Sequence, residues 1–273
     1  MASNRKSADT KGSVAALRSG NSGKKRSHNW ENIKAVLGTL AIFLLIRTFL
    51  LEAYRIPSGS MIPTLLVGDW LFVNKLAYGP HVPFTNFNLP GYTDPKRGDV
   101  VVFESPPQVD QPWDPTPTLV KRCVAVAGDT IQMKGGLFHV NGMPQPQGYA
   151  ASKNLKTDGS RADDLFAWQK KFALHNSRFG EPAPIATLDD WGPLIVPTDH
   201  FFMLGDNRYN SKDGRFWGFV PRANVRGRPV FVYYTYKPGP DSNEPRSLDV
   251  DYSDKPLPFI TDIRWGRIGT VIR

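Results

Sequence analysis

The stretch from Ala35 to Ile46, "AVLGTLAIFLLI", runs for twelve residues without a charge, and after the single Arg47 it resumes as "TFLL". Twelve such residues suit a buried core helix, a signal-peptide core or part of a membrane span equally well. Counted from Trp30, an aromatic fitted to a membrane interface, to Leu51, the segment has 22 residues and measures roughly 33 Å as a helix, enough to cross a bilayer. Arg47 falls one turn from the far end and can snorkel outward. "LEAYRIP" lacks the pair of small residues that precedes the cut in a cleaved signal peptide. An uncleaved transmembrane anchor is therefore predicted over residues 31–53.

The charge fixes which way such an anchor points. A net +9 raises nucleic acid as a partner, but residues 1–30 hold seven Lys/Arg against one Asp, so the remainder carries only +3. No nucleic-acid partner is expected from so local an excess. Residues 1–30, rich in Ser, Gly, Lys and Arg, are predicted as a disordered basic tail. Lys and Arg next to a span stay cytoplasmic, so the expected topology is single-pass, with everything after the anchor on the extracytoplasmic side and membrane phospholipid as a partner.

Beyond the anchor the pattern is mainly β. "DWLFVNKLAYG", "GDVVVFES", "TLVKRCVAVAGD", "TIQMKGGLFHVNG", "HFFMLGD" and "RPVFVYYTY" are β-branched or aromatic runs bounded by Gly, Pro, Asn and Asp, as antiparallel strands and hairpins are. One helix is predicted over residues 161–174, with Ser160 as its cap and acids in its first turn. Nine prolines between Pro80 and Pro117 predict an extended surface excursion rather than central sheet. The single Cys123 excludes an intramolecular disulfide.

The five histidines, His28, His81, His139, His175 and His200, form no H-E-x-x-H, and one Cys builds no metal cluster, so neither metal nor cofactor is expected. Triad members can be far apart in sequence, which leaves a Ser-His-Asp arrangement open, although no G-x-S-x-G elbow occurs. Three segments carry more: "IPSGSMIPTL" directly after the anchor, "LVKRCVAVAGD" and "GDNRYNSKDGRFWGFVP". Each is bland alone. An S-G-S loop is usually a turn, a strand lysine is usually solvated, and "GDNR" reads as a hairpin turn.

Together, in this order and behind an N-terminal anchor, the three resemble the bacterial type I signal peptidases, membrane-bound serine proteases that remove signal peptides from exported proteins. "VGDWLFVNKLAYG" and "IRWGRIG" are similar to further segments of that family. The resemblance covers Arg47 to about Lys134 and His200 to the end. It implies an antiparallel β catalytic domain over 54–134 and 200–273, a smaller β-rich domain inserted over 135–199, and a place in the bacterial plasma membrane. It also implies that Ser60 is the nucleophile, Lys121 the general base, and Ser58 with the Ser60 N–H the oxyanion hole. Ser211 would position the lysine, and Asp213 with Arg215 would form a structural ion pair. Ile56, Met61, Leu65 and Val120 would shape shallow pockets for small side chains, as cleavage after Ala-x-Ala requires. Two positions depart from the family pattern: "AGD" stands where P-G-D is usual, and Gly214 replaces a bulkier residue.

The chemistry explains the residue types. A serine hydroxyl needs a neutral base beside it, and a free lysine is almost wholly protonated at neutral pH. Burial disfavours the ammonium, and Leu119, Val120, Cys123 and Val124 supply apolar surroundings for Lys121. Strand alternation puts Leu119, Lys121 and Cys123 on one face. Two other readings of these residues remain: a Ser-Lys peptidase dedicated to one secretion or conjugation substrate, and a membrane-anchored β module that binds extended peptides without cutting them.

Overall fold

The computed structural model describes residues 22–85, 87–108, 112–145, 168–169, 187, 189–239 and 251–273. The chain divides into two units, residues 1–46 and 47–273. Helix α1 (Ser22–Leu45) is followed by a π turn over Ile46–Leu50. Within this stretch Asn29–Leu50, 22 residues, is long and apolar enough to cross a membrane. Most of its apolar side chains are exposed, Val36 67% and Ile42 60%. The helix begins at Ser22, inside the segment predicted as disordered tail. Lys24, Lys25 and Arg26 are good helix formers, and extending a helix already nucleated downstream costs little. Residues 1–21 of that predicted tail lie outside the described residues.

The predicted anchor limit at residue 53 is overtaken by a strand. β1 (Leu51–Arg55) begins directly after the π turn and pairs antiparallel with β2 (Asp69–Asn74). Lys75, at the end of β2, donates to the carbonyl oxygens of Arg47 and Thr48 at 3.1 and 3.2 Å and pairs with Glu52 at 2.6 Å. These are carbonyls that a helix end leaves without internal partners.

Among the described residues the second unit holds two antiparallel sheets. The larger has seven strands in the order β1-β2-β11-β3-β4-β9-β10, where β3 is Val100–Glu104, β4 Thr118–Val126, β9 His200–Leu204, β10 Val220–Pro221 and β11 Val225–Thr235. Strand β11 serves two neighbours, pairing with β3 from Val225 to Gly227 and with β2 from Arg228 onward. Its register shifts after Pro229, where the ladder lacks a donor. All six strand segments predicted from the sequence form strands. The Pro-rich region is only partly as expected. β3 lies within it yet sits centrally in the sheet, because every proline of the region falls to one side or the other of Val100–Glu104.

The smaller sheet runs β7-β6-β5-β8, with β5 Thr130–Lys134, β6 Leu137–Val140, β7 Met143–Pro144 and β8 Trp191–Ile195. It starts five residues before the predicted insert boundary, since β5 pairs with β6 and β8 rather than with the larger sheet. Ile131, Phe138, Trp191 and Leu194 share one core with Phe202 and Leu204 of β9. Burying each large apolar side chain there contributes on the order of 2 kcal/mol, which holds the smaller sheet against the strand that leads to Gly205. Of the helix predicted over 161–174 only Trp168 and Gln169 are described, in a short 3-10 turn.

Candidate active site

The serine segment is pinned from below. Ile56, Met61 and Leu65 are at most 3% exposed and share a core with Leu71, Val100 and Val232. Between these anchors Ser58 is extended (φ −127°, ψ 157°) and Gly59–Met61 makes one 3-10 turn. The turn therefore lifts Ser60 Oγ off the core while the residues around it cannot move. Downstream, Asp69 is wholly buried and accepts from Leu66 N–H, Thr235 Oγ1 and the guanidinium of Arg267, which also donates to the Thr64 carbonyl. Arg267 belongs to "IRWGRIG", so that segment clamps the loop following the serine.

Lys121 reaches this serine from β4. It stands opposite Val101 on β3, is 3% exposed, and its Nζ donates to Ser60 Oγ at 2.6 Å. Burial brings its pKa down from 10.5 to about 8, against the opposing pull of the carboxylates of Asp213 and Asp206. A lysine at about 8 has a neutral fraction near neutral pH that a free lysine lacks. In that neutral form the same 2.6 Å contact runs the other way, from the serine hydroxyl to the amine lone pair. Ser58 Oγ lies 3.5 Å from Ser60 Oγ.

"GDNR" supplies the third wall. Asn207 donates from its backbone N–H to Ser60 O at 3.1 Å and from Nδ2 to Gly59 O at 3.2 Å, so it grips the serine turn at two consecutive carbonyls. Asp206 takes both Arg122 Nε (2.7 Å) and Nη2 (2.6 Å) and accepts from Thr64 Oγ1. The residue after the lysine is thus tied to the loop after the serine. Asp213 caps α2 (Gly214–Trp217), accepts from Gly205 N–H at 3.0 Å and pairs with Arg215 at 2.8 Å. Burial alone would push the Asp213 carboxyl up, but the charge and hydrogen bonds of Arg215 hold it below the usual range. Gly214 has a physical reason to be small: a Cβ there would come within 2.8 Å of the Met203 carbonyl oxygen and 2.9 Å of the Phe202 ring.

A shallow cleft opens beside Ser60 and Lys121. Ile56, Met61 and Val120 line it, together with Tyr54, Val102 and Thr118. Leu65 does not. It lies fully buried behind the cleft in the core that supports the serine turn. Ser211 is buried next to Gly205, and its hydroxyl makes no hydrogen bond of standard geometry, although it counts among the groups that keep Asp213 ionised. The amine of Lys121 bonds to Ser60 and not to Ser211. Asn207, Asp206, Arg122 and Arg267 were not singled out from the sequence. Their one signal was an excess of charged and amide residues inside the quoted segments, and which partner each takes depends on contacts as distant as Arg267 with Asp69.

The geometry brings a serine, a buried lysine and an apolar cleft together, and comparison with known proteins points the same way. A family model described as "Signal peptidase, peptidase S26" matches residues 29–234. Signal peptidase I of Pseudomonas aeruginosa is 33% identical over 78% of this chain and 75% of its own length. That of Leptolyngbya laminosa is 35% identical over 75% of this chain and 79% of its own. The chain therefore belongs to the signal peptidase S26 family of serine endopeptidases.

Proposed function

We propose that this protein cleaves signal peptides from exported preproteins with Ser60 as nucleophile and neutral Lys121 as general base. One observation carries the reading: Ser60 Oγ lies 2.6 Å from the amine of a buried lysine. Lys121 takes the hydroxyl proton as Ser60 attacks the scissile carbonyl, and the resulting ammonium returns it to the leaving amine. The Ser60 N–H and the Ser58 hydroxyl stabilise the oxyanion, and water completes hydrolysis of the acyl-enzyme. Ser211 supports the lysine indirectly, through Asp213, whose ionised form its hydroxyl favours.

The preproteins bind as extended chains. β4 pairs with β9 only from Arg122 onward, which leaves one edge of Thr118–Lys121 open along the cleft, and an added strand completes it. Ile56, Met61 and Val120 leave shallow apolar room, which favours small-x-small sites. The detergent-solubilised chain, given several unrelated preproteins, is expected to cut each once after such a site, as mapped by mass spectrometry of the products. Cutting of a single preprotein would favour a dedicated peptidase, and binding without cutting would favour a non-catalytic module.

Asn29–Leu50 anchors the enzyme in the bacterial plasma membrane, with the basic N-terminus cytoplasmic and the catalytic unit outside. Protease added to spheroplasts is expected to digest the region after Leu50. Its protection, with digestion appearing only after lysis, would reverse the orientation.

A further inference from the structure

A helix leaves its last carbonyls without internal partners, and in the four-residue α2 only that of Gly214 has one. That of Gly214 takes the Gly218 N–H at 2.9 Å. That of Arg215 takes the indole N–H of Trp168 at 3.0 Å. Trp168 comes from the segment predicted as an insert, outside the segments quoted from the sequence for the resemblance. Its ring stands edge-on to Phe219 with centroids 5.4 Å apart and is tilted against Phe202 at 6.3 Å. It also covers Gly218, where φ is +91° and a Cβ would come within 3.1 Å of the indole.

The turn so held carries the ion pair whose carboxylate acts most strongly on the lysine. Arg215 grips Asp213 through Nε at 2.8 Å and Nη2 at 2.9 Å, and Asp213 accepts from Gly205, which abuts Ser211 and the Ser60 carbonyl. The charges that act on Lys121 are Asp213 and Asp206, both favouring its ammonium form. Asp206 is compensated by Arg122 and Asp213 by Arg215, with the buried Arg208 guanidinium in the field of both carboxylates.

We infer that Trp168 is a positioning residue for the proton-accepting lysine, acting through the Arg215 backbone and the Asp213–Arg215 pair; this rests on the Ser60–Lys121 reading. Without the indole N–H the Arg215 carbonyl loses its donor and α2 is free to shift. Arg215 then compensates Asp213 less completely. More of the carboxylate's charge reaches Lys121, the ammonium form is favoured, and the acid limb of kcat/KM moves to higher pH.

The test measures preprotein cleavage by the full chain in detergent, from about pH 6 to about pH 10, for the wild type, Trp168→Phe and Trp191→Phe. Trp191 sits in the same core cluster, but its indole N–H has no hydrogen-bond partner, so its Phe variant removes ring area without removing a bond. Trp168→Phe is expected to move the acid limb up by about half a unit or more, lowering kcat/KM about threefold at neutral pH. KM should stay within about twofold, and the rate should return to the wild-type value on the alkaline plateau. Replacing Trp168 by β-(3-benzothienyl)alanine, which keeps the bicyclic shape and lacks the N–H, should give the same shift. An unmoved limb, a deficit that persists on the plateau, or an equal shift in Trp191→Phe would each overturn the inference. A wild-type limb near pH 8 with an unmoved variant limb sinks this inference alone, whereas full activity in Ser60→Ala sinks the dyad itself.

Discussion

Ser60→Ala and Lys121→Ala should each lower preprotein cleavage by about 10⁴-fold or more, because nucleophile and base act as one unit. Neither change should disturb the fold. Ser60 lies on a turn that Asn207 and the core beneath hold by other atoms, and removing Lys121 relieves a buried cation. Far-ultraviolet circular dichroism and the melting curve should therefore match or exceed those of the wild type. Lys121→Arg should not restore activity, since a guanidinium stays charged and cannot accept the serine proton. Ser58→Ala should cost about 10²–10³ in kcat with little change in KM, the usual loss for one oxyanion donor. Among the described residues no histidine side chain holds a comparable position. His81 bonds to Asn88 at 2.8 Å, while His139 in β6 and His200 at the start of β9 each bond to the carbonyl two residues earlier. Replacing these together with His28 and His175 should leave most of the activity. A single histidine variant as inactive as Ser60→Ala would require a triad instead.

Gly205→Ala is expected to lose activity on a comparable scale, by about 10²-fold or more in kcat, although a methyl group is the whole change. A Cβ at Gly205 would come within 2.6 Å of the Ser60 carbonyl oxygen and would run into the Ser211 side chain. Neither neighbour can give way. The Ser60 carbonyl is held by the Asn207 N–H, and Ser211 lies in the loop that Arg215 grips through the carbonyls of Arg208 and Ser211. The serine turn must then move away from Lys121 and lengthen a contact of 2.6 Å. Gly266→Ala makes a useful control, since no atom lies within 4 Å of a Cβ placed there. It should leave kcat unchanged and the melting temperature equal or slightly higher. Activity in Gly205→Ala equal to that of Gly266→Ala would show that the packing argument is wrong.

Short-range signals made much of this legible. The strands were readable because β-branched and aromatic runs end at Gly, Pro and Asn, and Pro80–Pro117 was readable as loop except where β3 is proline-free. Ser60 and Lys121 were readable only as members of a longer pattern, 61 residues apart in the chain and in contact in space. β1 was hidden because "LEAYR" continues an apolar run, and only its pairing with β2 makes it a strand. Leu65 is placed at the cleft by the family resemblance. An apolar residue near a serine can line a pocket or support it from behind, and the turn of Gly59–Met61 sends Leu65 behind. The grip of Asn207 on the serine turn and of Arg267 on Asp69 depends on distant partners, for which the sequence carries no local mark.

The central claim is that burial makes Lys121 a base near neutral pH. The sign of the linked stability is fixed by the same shift. Because the folded value lies below the unfolded one, the unfolded chain binds the extra proton between about 8 and 10.5, and stability contributed by this residue rises with pH through that window. The direct measurement is an NMR titration of the lysine side-chain Cε and Nζ resonances in the solubilised chain, with the Lys121→Arg spectrum identifying the Lys121 signals. A midpoint at about 8 is expected for Lys121, with kcat/KM rising along the same curve. A midpoint at the ordinary lysine value of 10.5, with cleavage already maximal at neutral pH, would contradict it.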